Sequence, residues 1–179
     1  MIIIGVDPGT WRTGIGVIEA SGNHYKLLAS QVVAIRESLP LAQRLNKIYN
    51  AVCEVIAAYH PDKLALENVF YRRNVRSMLH IGEARACAML AASNYGVDVV
   101  EYPPAVVKQS VSGNGRASKE QVQAMIKTLL NLKAAPPNDA ADALAVAVCH
   151  LHHFKHDFRR QLIAQGAKTR VRIPQGTTR

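Results

Sequence analysis

The chain has 179 residues, 49% of them apolar, and carries 22 Lys and Arg against 13 Asp and Glu, a net charge of +9. This length and apolar share suit one domain around one core and exclude a globally disordered chain, while no apolar run approaches the roughly 18 residues that span a bilayer. The basic excess favours a polyanionic partner through counterion release, although basic solubilising surfaces are common and charge alone leaves the question even.

Ile2–Asp7 is a short apolar run ending in a carboxylate and the turn Pro8-Gly9, the pattern of a buried central strand. Met1 leads straight into that strand, so no secretory leader is expected and the expected compartment is the cytoplasm. Cys53, Cys87 and Cys149 are odd in number and scattered, which reads as small buried hydrophobes, not a disulfide framework. Residues 14–20 and 25–35 have strand character on either side of Ser21-Gly22-Asn23, giving an antiparallel meander. Ser38 is placed to cap a helix whose first turn holds Leu39 and Pro40. Leu41, Leu45, Ile48, Val52, Ile56 and Tyr59 then recur at helical spacing up to Pro61. Residues 63–69 form a fourth strand, residues 77–94 an alanine-rich helix stopped by Gly96, and residues 97–102 a fifth strand.

The remainder reads as helical. A short helix is expected over residues 105–111. Ser118 and Gln121 have capping-box spacing ahead of the stripe Val122, Met125, Ile126, Leu129 and Leu130. Asn138 is placed to cap a last helix beginning at Asp139. Beyond His150 the apolar periodicity fades, and from Lys155 on there are seven basic residues against Asp157 alone. The expected organisation is one α/β domain over residues 1–153 and a mobile basic tail over 154–179. Strands and helices in this order imply a mixed five-stranded sheet flanked by helices, with the first and fourth strands parallel neighbours.

Four carboxylates stand out against that layout. Asp7 ends a buried strand, Glu67 follows Leu64-Ala65-Leu66 near the end of another, and Asp139 and Asp142 share one face of a helix start. Burying like charges together is costly unless divalent cations neutralise them, and Mg²⁺ prefers carboxylate oxygens. Each position also has an ordinary explanation. An Asp before Pro-Gly makes a turn, and Asp139 suits a helix N-terminus; a Glu inside an apolar strand has fewer such readings. Their convergence at one end of the sheet is what points to metal-assisted phosphodiester chemistry.

The sequences Ile4-Gly5-Val6-Asp7-Pro8-Gly9-Thr10 with Thr13-Gly14, Leu66-Glu67-Asn68-Val69-Phe70, and Asp139-Ala140-Ala141-Asp142-Ala143-Leu144-Ala145 resemble the RuvC family of bacterial Holliday-junction resolvases, over roughly residues 1 to 153. The resemblance implies a ribonuclease H-like fold and an endonuclease that resolves four-way DNA junctions by paired nicks. It implies Asp7, Glu67, Asp139 and Asp142 as catalytic metal ligands for Mg²⁺, two ions per site, with Mn²⁺ as a substitute. It also implies a homodimer, the branch-migration partners RuvA and RuvB, and Lys108 and Lys119 near the DNA backbone and the active site. Some members carry histidine at the third acidic position, where this chain has Asp139. The turn Trp11-Arg12 departs from the family pattern, which leaves its role open.

The segment Phe70-Tyr71-Arg72-Arg73, with Arg76 following, combines stacking surface with cations and suits DNA; the ordinary reading is an aromatic plug before a solvated helix start. By resemblance Phe70 contacts a base. The histidines near Cys149 lack the spacing of a zinc finger, and Gly113-Asn114-Gly115 lacks the Walker lysine. The rival readings are an actin-like or sugar-kinase-like ATPase, which needs a second lobe and a second phosphate hairpin, and a junction-binding protein without catalysis, which predicts the loss of an acidic position. A nuclease of this fold acting on RNA is a third, since a metal site does not itself read the 2′-hydroxyl.

Overall fold

Ten elements follow one another in the computed structural model, which describes residues 1–36, 38–68 and 75–169, with backbone alone at 76, 77, 158, 159 and 161–169. They are β1 Ile2–Asp7, β2 Arg12–Ser21, β3 His24–Ala34, α1 Leu41–Tyr59, β4 Lys63–Glu67, α2 Val75–Asn94, β5 Asp98–Tyr102, α3 Pro104–Ser112, α4 Lys119–Leu129 and α5 Asn138–Thr169. The sheet order is β3-β2-β1-β4-β5. The β1–β2 and β2–β3 pairs are antiparallel, and β4 pairs in parallel with β1 and β5. The expected meander and the expected β1–β4 neighbourhood are both present.

Strand alternation sorts the core into two layers, as a period of two requires. Ile4, Val6, Ile15, Val17, Leu64 and Leu66 pack with Val52 and Ile56 of α1 and Ala88, Ala91 and Ala92 of α2. Ile3, Ile18 and Ala65 face the other way, onto Val107, Ile126, Leu144 and Val148 of the three C-terminal helices. On that second face the sheet is floored with glycine. Gly5, Gly14 and Gly16 lie under Ala143, Asp139 and Leu144, each too close for a Cβ, so α5 settles directly onto the backbones of β1 and β2.

Several boundaries differ from the sequence expectation. Ser38 does not cap α1. The first helical carbonyl is that of Pro40, which accepts from Gln43 N–H at 3.0 Å and Arg44 N–H at 3.1 Å, leaving Ser38 outside the helix. α2 starts at Val75, and β4 stops at Glu67, after which the Asn68 N–H still donates to the Tyr102 carbonyl of β5 at 2.8 Å. Asn138, expected to cap the last helix, accepts on its side-chain oxygen from Gln123 Nε2 at 3.0 Å. Cys149 is buried as expected, whereas Cys53 and Cys87 are half-buried, and all three are free thiols.

The largest difference is at the C-terminus, where α5 runs on to Thr169, far past the point at which periodicity fades. Polar partners replace the missing apolar stripe. His150 Nδ1 is 2.8 Å from the Tyr102 hydroxyl, His152 Nδ1 is 3.0 Å from the Ser110 carbonyl, and Lys155 Nζ sits 4.3 Å from the Tyr25 ring centroid. The histidine-rich stretch is therefore packed on β3, β5 and α3.

Candidate active site

The site is assembled by register and by the glycine floor. Val6 and Leu66 are direct partners in the parallel β1–β4 pair, so Asp7 and Glu67, one residue further on each strand, leave the sheet side by side. α5 begins over Gly14, and its first turns carry Asp139 and Asp142, three residues apart, into the same opening. The opening is a cleft of about 390 Å³ lined by Asp7, Glu67, Asp139 and Asp142, with Arg12, Lys108 and Lys119 among its walls. All four carboxylates singled out in the sequence are thus brought together. So are Lys108, from α3, and Lys119, from the first turn of α4.

The turn between β1 and β2 is held by Thr13, whose Oγ1 donates to the Gly9 carbonyl at 2.8 Å. Thr10 and Thr13 are both buried, and the Thr13 hydroxyl is satisfied by that bond. Trp11 stays exposed on one face and rests on Arg44 with the other, the Arg44 Cζ lying 3.9 Å from the ring centroid. Arg44 is only 7% exposed, and its Nε and Nη1 have no hydrogen-bond partner among the described residues. The Trp11 ring face thus offers this buried cation a favourable contact.

Two of the carboxylates are turned toward cations. Arg12 Nε lies 2.6 Å from Asp139 Oδ2, and Lys119 Nζ lies 3.1 Å from Asp142 Oδ2. No three Asp, Glu, His or Cys side chains stand as a ready metal cluster among the described residues. The bond to Asp142 also raises the pKa of the Lys119 ammonium.

Asp7 shows the strain of this gathering. Its carboxyl is pushed from 3.8 up to about 7, first by burial and then by the charges of Asp142, Glu67 and Asp139, while Lys119 pulls the other way. A carboxylate so placed lacks a full positive complement. An all-oxygen donor set around that deficit fits a hard divalent cation such as Mg²⁺.

Phe70, Tyr71, Arg72 and Arg73 lie outside the described residues, and Arg76 falls in the first turn of α2 with its side chain outside them. Sequence reasoning missed Arg12 as a member of the site. The one available signal for Arg12 was its place in a turn next to a carboxylate strand end.

A mixed sheet in this order, flanked by helices, is a ribonuclease H-like fold, and the carboxylates stand at the ends of its central parallel pair and on the helix crossing them. Residues 3–150 match the family described as Crossover junction endodeoxyribonuclease RuvC. A relative of that name from Dehalococcoides mccartyi is 51% identical over 154 residues, 86% of this chain and 93% of its own length. Another, from Shewanella frigidimarina, is 48% identical over 172 residues, 96% of this chain and 95% of its own, so the likeness runs on into the basic segment. The solved structure of T. thermophilus RuvC with a Holliday junction substrate superposes with a TM-score of 0.83 at 34% identity, covering 88% of this chain and 96% of that one. This chain belongs to the RuvC family of crossover junction endodeoxyribonucleases.

Proposed function

We propose that this chain resolves four-way DNA junctions in recombination and repair, cutting two strands symmetrically by metal-dependent hydrolysis. The observation that carries the reading is the convergence of Asp7, Glu67, Asp139 and Asp142 in one cleft walled by Arg12, Lys108 and Lys119. The four carboxylates would hold Mg²⁺, two ions per site with Mn²⁺ as a substitute. The bound ions would supply an activated water and charge stabilisation at the phosphate. The residues of the chain do the rest. The lysines and Arg12 draw a phosphate backbone toward the acidic floor, and the pinned Gly9–Thr13 turn keeps Asp7 at a fixed height beside Glu67. A non-catalytic binder has no use for four such carboxylates, and the described residues form one five-stranded sheet without the second lobe an ATPase needs.

Phe70, Tyr71, Arg72, Arg73 and Arg76 are proposed to engage the junction next to the cut. The basic segment from Lys155 onward is proposed to add affinity for any duplex through diffuse phosphate contacts, distinct from the nuclease body over residues 1–153. The working form is proposed to be a two-fold homodimer, because paired nicks need two equivalent sites. RuvA and RuvB are the partners that family membership suggests. No described helix is long and apolar enough to cross a membrane, and the proposed site of action is the cytoplasm.

The test is to incubate labelled four-way junction, plain duplex and RNA–DNA hybrid with the protein and Mg²⁺. Paired symmetric cuts confined to the junction support the reading. Preferential cutting of the hybrid would make this an RNA-directed nuclease instead. Asp7→Asn, Glu67→Gln and Asp142→Asn should each abolish cutting and keep junction binding.

A further inference from the structure

The backbone of Arg12 is fixed while its side chain is not. Arg12 pairs with Ala34 at the start of β2, Trp11 O accepts from Ile35 N–H at 2.9 Å, and Thr13 closes the turn. The guanidinium, by contrast, reaches across 127 residues of sequence to Asp139 from a side chain that is 56% exposed. It therefore has a rigid base and room to swing. The carboxylate it holds is one of the four that the proposed metal needs, and a cation approaching Asp139 Oδ2 meets a positive guanidinium already 2.6 Å from that oxygen, so the two charges compete for it.

We infer that Arg12 is a positioning residue that exchanges partners. It occupies Asp139 while the site is empty, and gives the carboxylate up to the metal. Its guanidinium then turns to a backbone phosphate of the DNA strand lying in the cleft. A planar guanidinium matches phosphate as well as carboxylate, so both partners suit it. Once a cation neutralises the floor, phosphate is the anion left within its reach. Metal and DNA binding are thereby coupled through one side chain, and the coupling must act equally in both directions. An exposed ion pair is a weak competitor, so the grip on Asp139 should hold metal affinity down by only ~2–5-fold. This inference rests on the reading of Asp139 as a metal ligand.

The experiment compares the full-length wild type with Arg12→Gln in two measurements, neither of which reads cleavage. Mn²⁺ binding without DNA is followed by the free-ion paramagnetic signal, and junction binding is followed with and without Ca²⁺ across a salt series. Arg12→Gln should bind Mn²⁺ ~2–5-fold more tightly. It should nevertheless gain less junction affinity from Ca²⁺, with a salt slope shallower by about one. Arg12→Lys, which keeps the charge, should move both quantities back toward wild type. A merely structural role for Arg12 would weaken both kinds of binding together. Unchanged Mn²⁺ affinity in Arg12→Gln, or an undiminished Ca²⁺ effect on junction binding, overturns the exchange. If the wild type binds no Mn²⁺, the metal reading itself fails and the exchange with it.

Discussion

Gly14 of β2 lies so close beneath Asp139 of α5 that a Cβ on Gly14 would collide with the Asp139 backbone carbonyl. The helix that delivers two of the four carboxylates is therefore seated by the absence of a side chain. Gly14→Ala must push the first turn of α5 off the sheet and carry Asp139 away from Asp7. Overpacking of this kind costs ~1–3 kcal/mol, and melting should fall by roughly 2–12 °C for a chain of this size. Cleavage should fall further than stability, on the order of 100-fold, because ligand placement tolerates little error. Thermal melts beside single-turnover cutting, well below the variant's melting point, separate the two effects. Normal cutting by Gly14→Ala would mean that α5 has slack at its start.

The raised Asp7 carboxyl makes a prediction about pH in the absence of metal. Between about pH 4 and pH 7 the native state keeps a proton on Asp7 that the unfolded chain has released. Stability of the metal-free protein should therefore fall as pH rises through that window and level off above it. Asp7→Asn removes the charge. The variant should be more stable than wild type at pH 8, by up to ~4 kcal/mol, with the gap closing toward pH 4. Saturating Mg²⁺ should reverse the order at pH 8, since only wild type regains a full ligand set. Melting curves in chelator and in Mg²⁺ across pH 4–8 check this, and a pH-independent difference would place the Asp7 proton elsewhere.

What could be read from the sequence was local or periodic. The Ser118–Gln121 capping box forms both its bonds, at 3.3 and 2.9 Å, because its partners lie within one turn. The strand-end positions of Asp7 and Glu67 followed from the apolar runs before them, and the β1–β4 pairing followed from the order of elements. What could not be read depends on distant partners. Nothing near Arg12 indicates Asp139, and nothing near Trp11 indicates Arg44 on another element. The continuation of α5 past His150 rests on Tyr25, Tyr102 and Ser110, three separate regions whose hydrogen-bonding and ring contacts leave no apolar period. Ser38 had the right chemistry for a cap, but the helix takes its first carbonyl from Pro40.

Phe70 can be tested on the strength of its place in the sequence. β4 ends at Glu67, and Phe70 follows three positions later in the chain. An aromatic there can stack on a base left unpaired where the exchanging strands diverge, at least cost where pairing is already strained. Phe70→Ala should cut the cleavage rate sharply while leaving folding and assembly intact. A mismatched or flexible junction should recover part of the rate, because its bases open unaided. A melting temperature lowered by many degrees would instead make Phe70 a core residue.

The alanine-rich helix α2 has two distinct faces, and only one of them can serve a dimer. Ala84, Ala88, Ala91 and Ala92 are fully buried against this chain's own core, so these four small residues are not available to a second copy. Leu79, Gly82, Ala86 and Leu90 recur at spacings of three and four on the opposite side, all exposed, with Leu79 at 61% and Leu90 at 59%. Two leucines flanking two small residues make a self-complementary stripe, which a two-fold axis would bury against its own copy. Leu79→Glu with Leu90→Glu should yield a monomer by light scattering at micromolar concentration. The monomer's circular dichroism should be unchanged, because neither side chain supports the core. On a junction this variant should leave single nicks where wild type leaves paired ones. A double variant that stays dimeric would move the interface off α2, and a monomeric wild type would remove the dimer altogether.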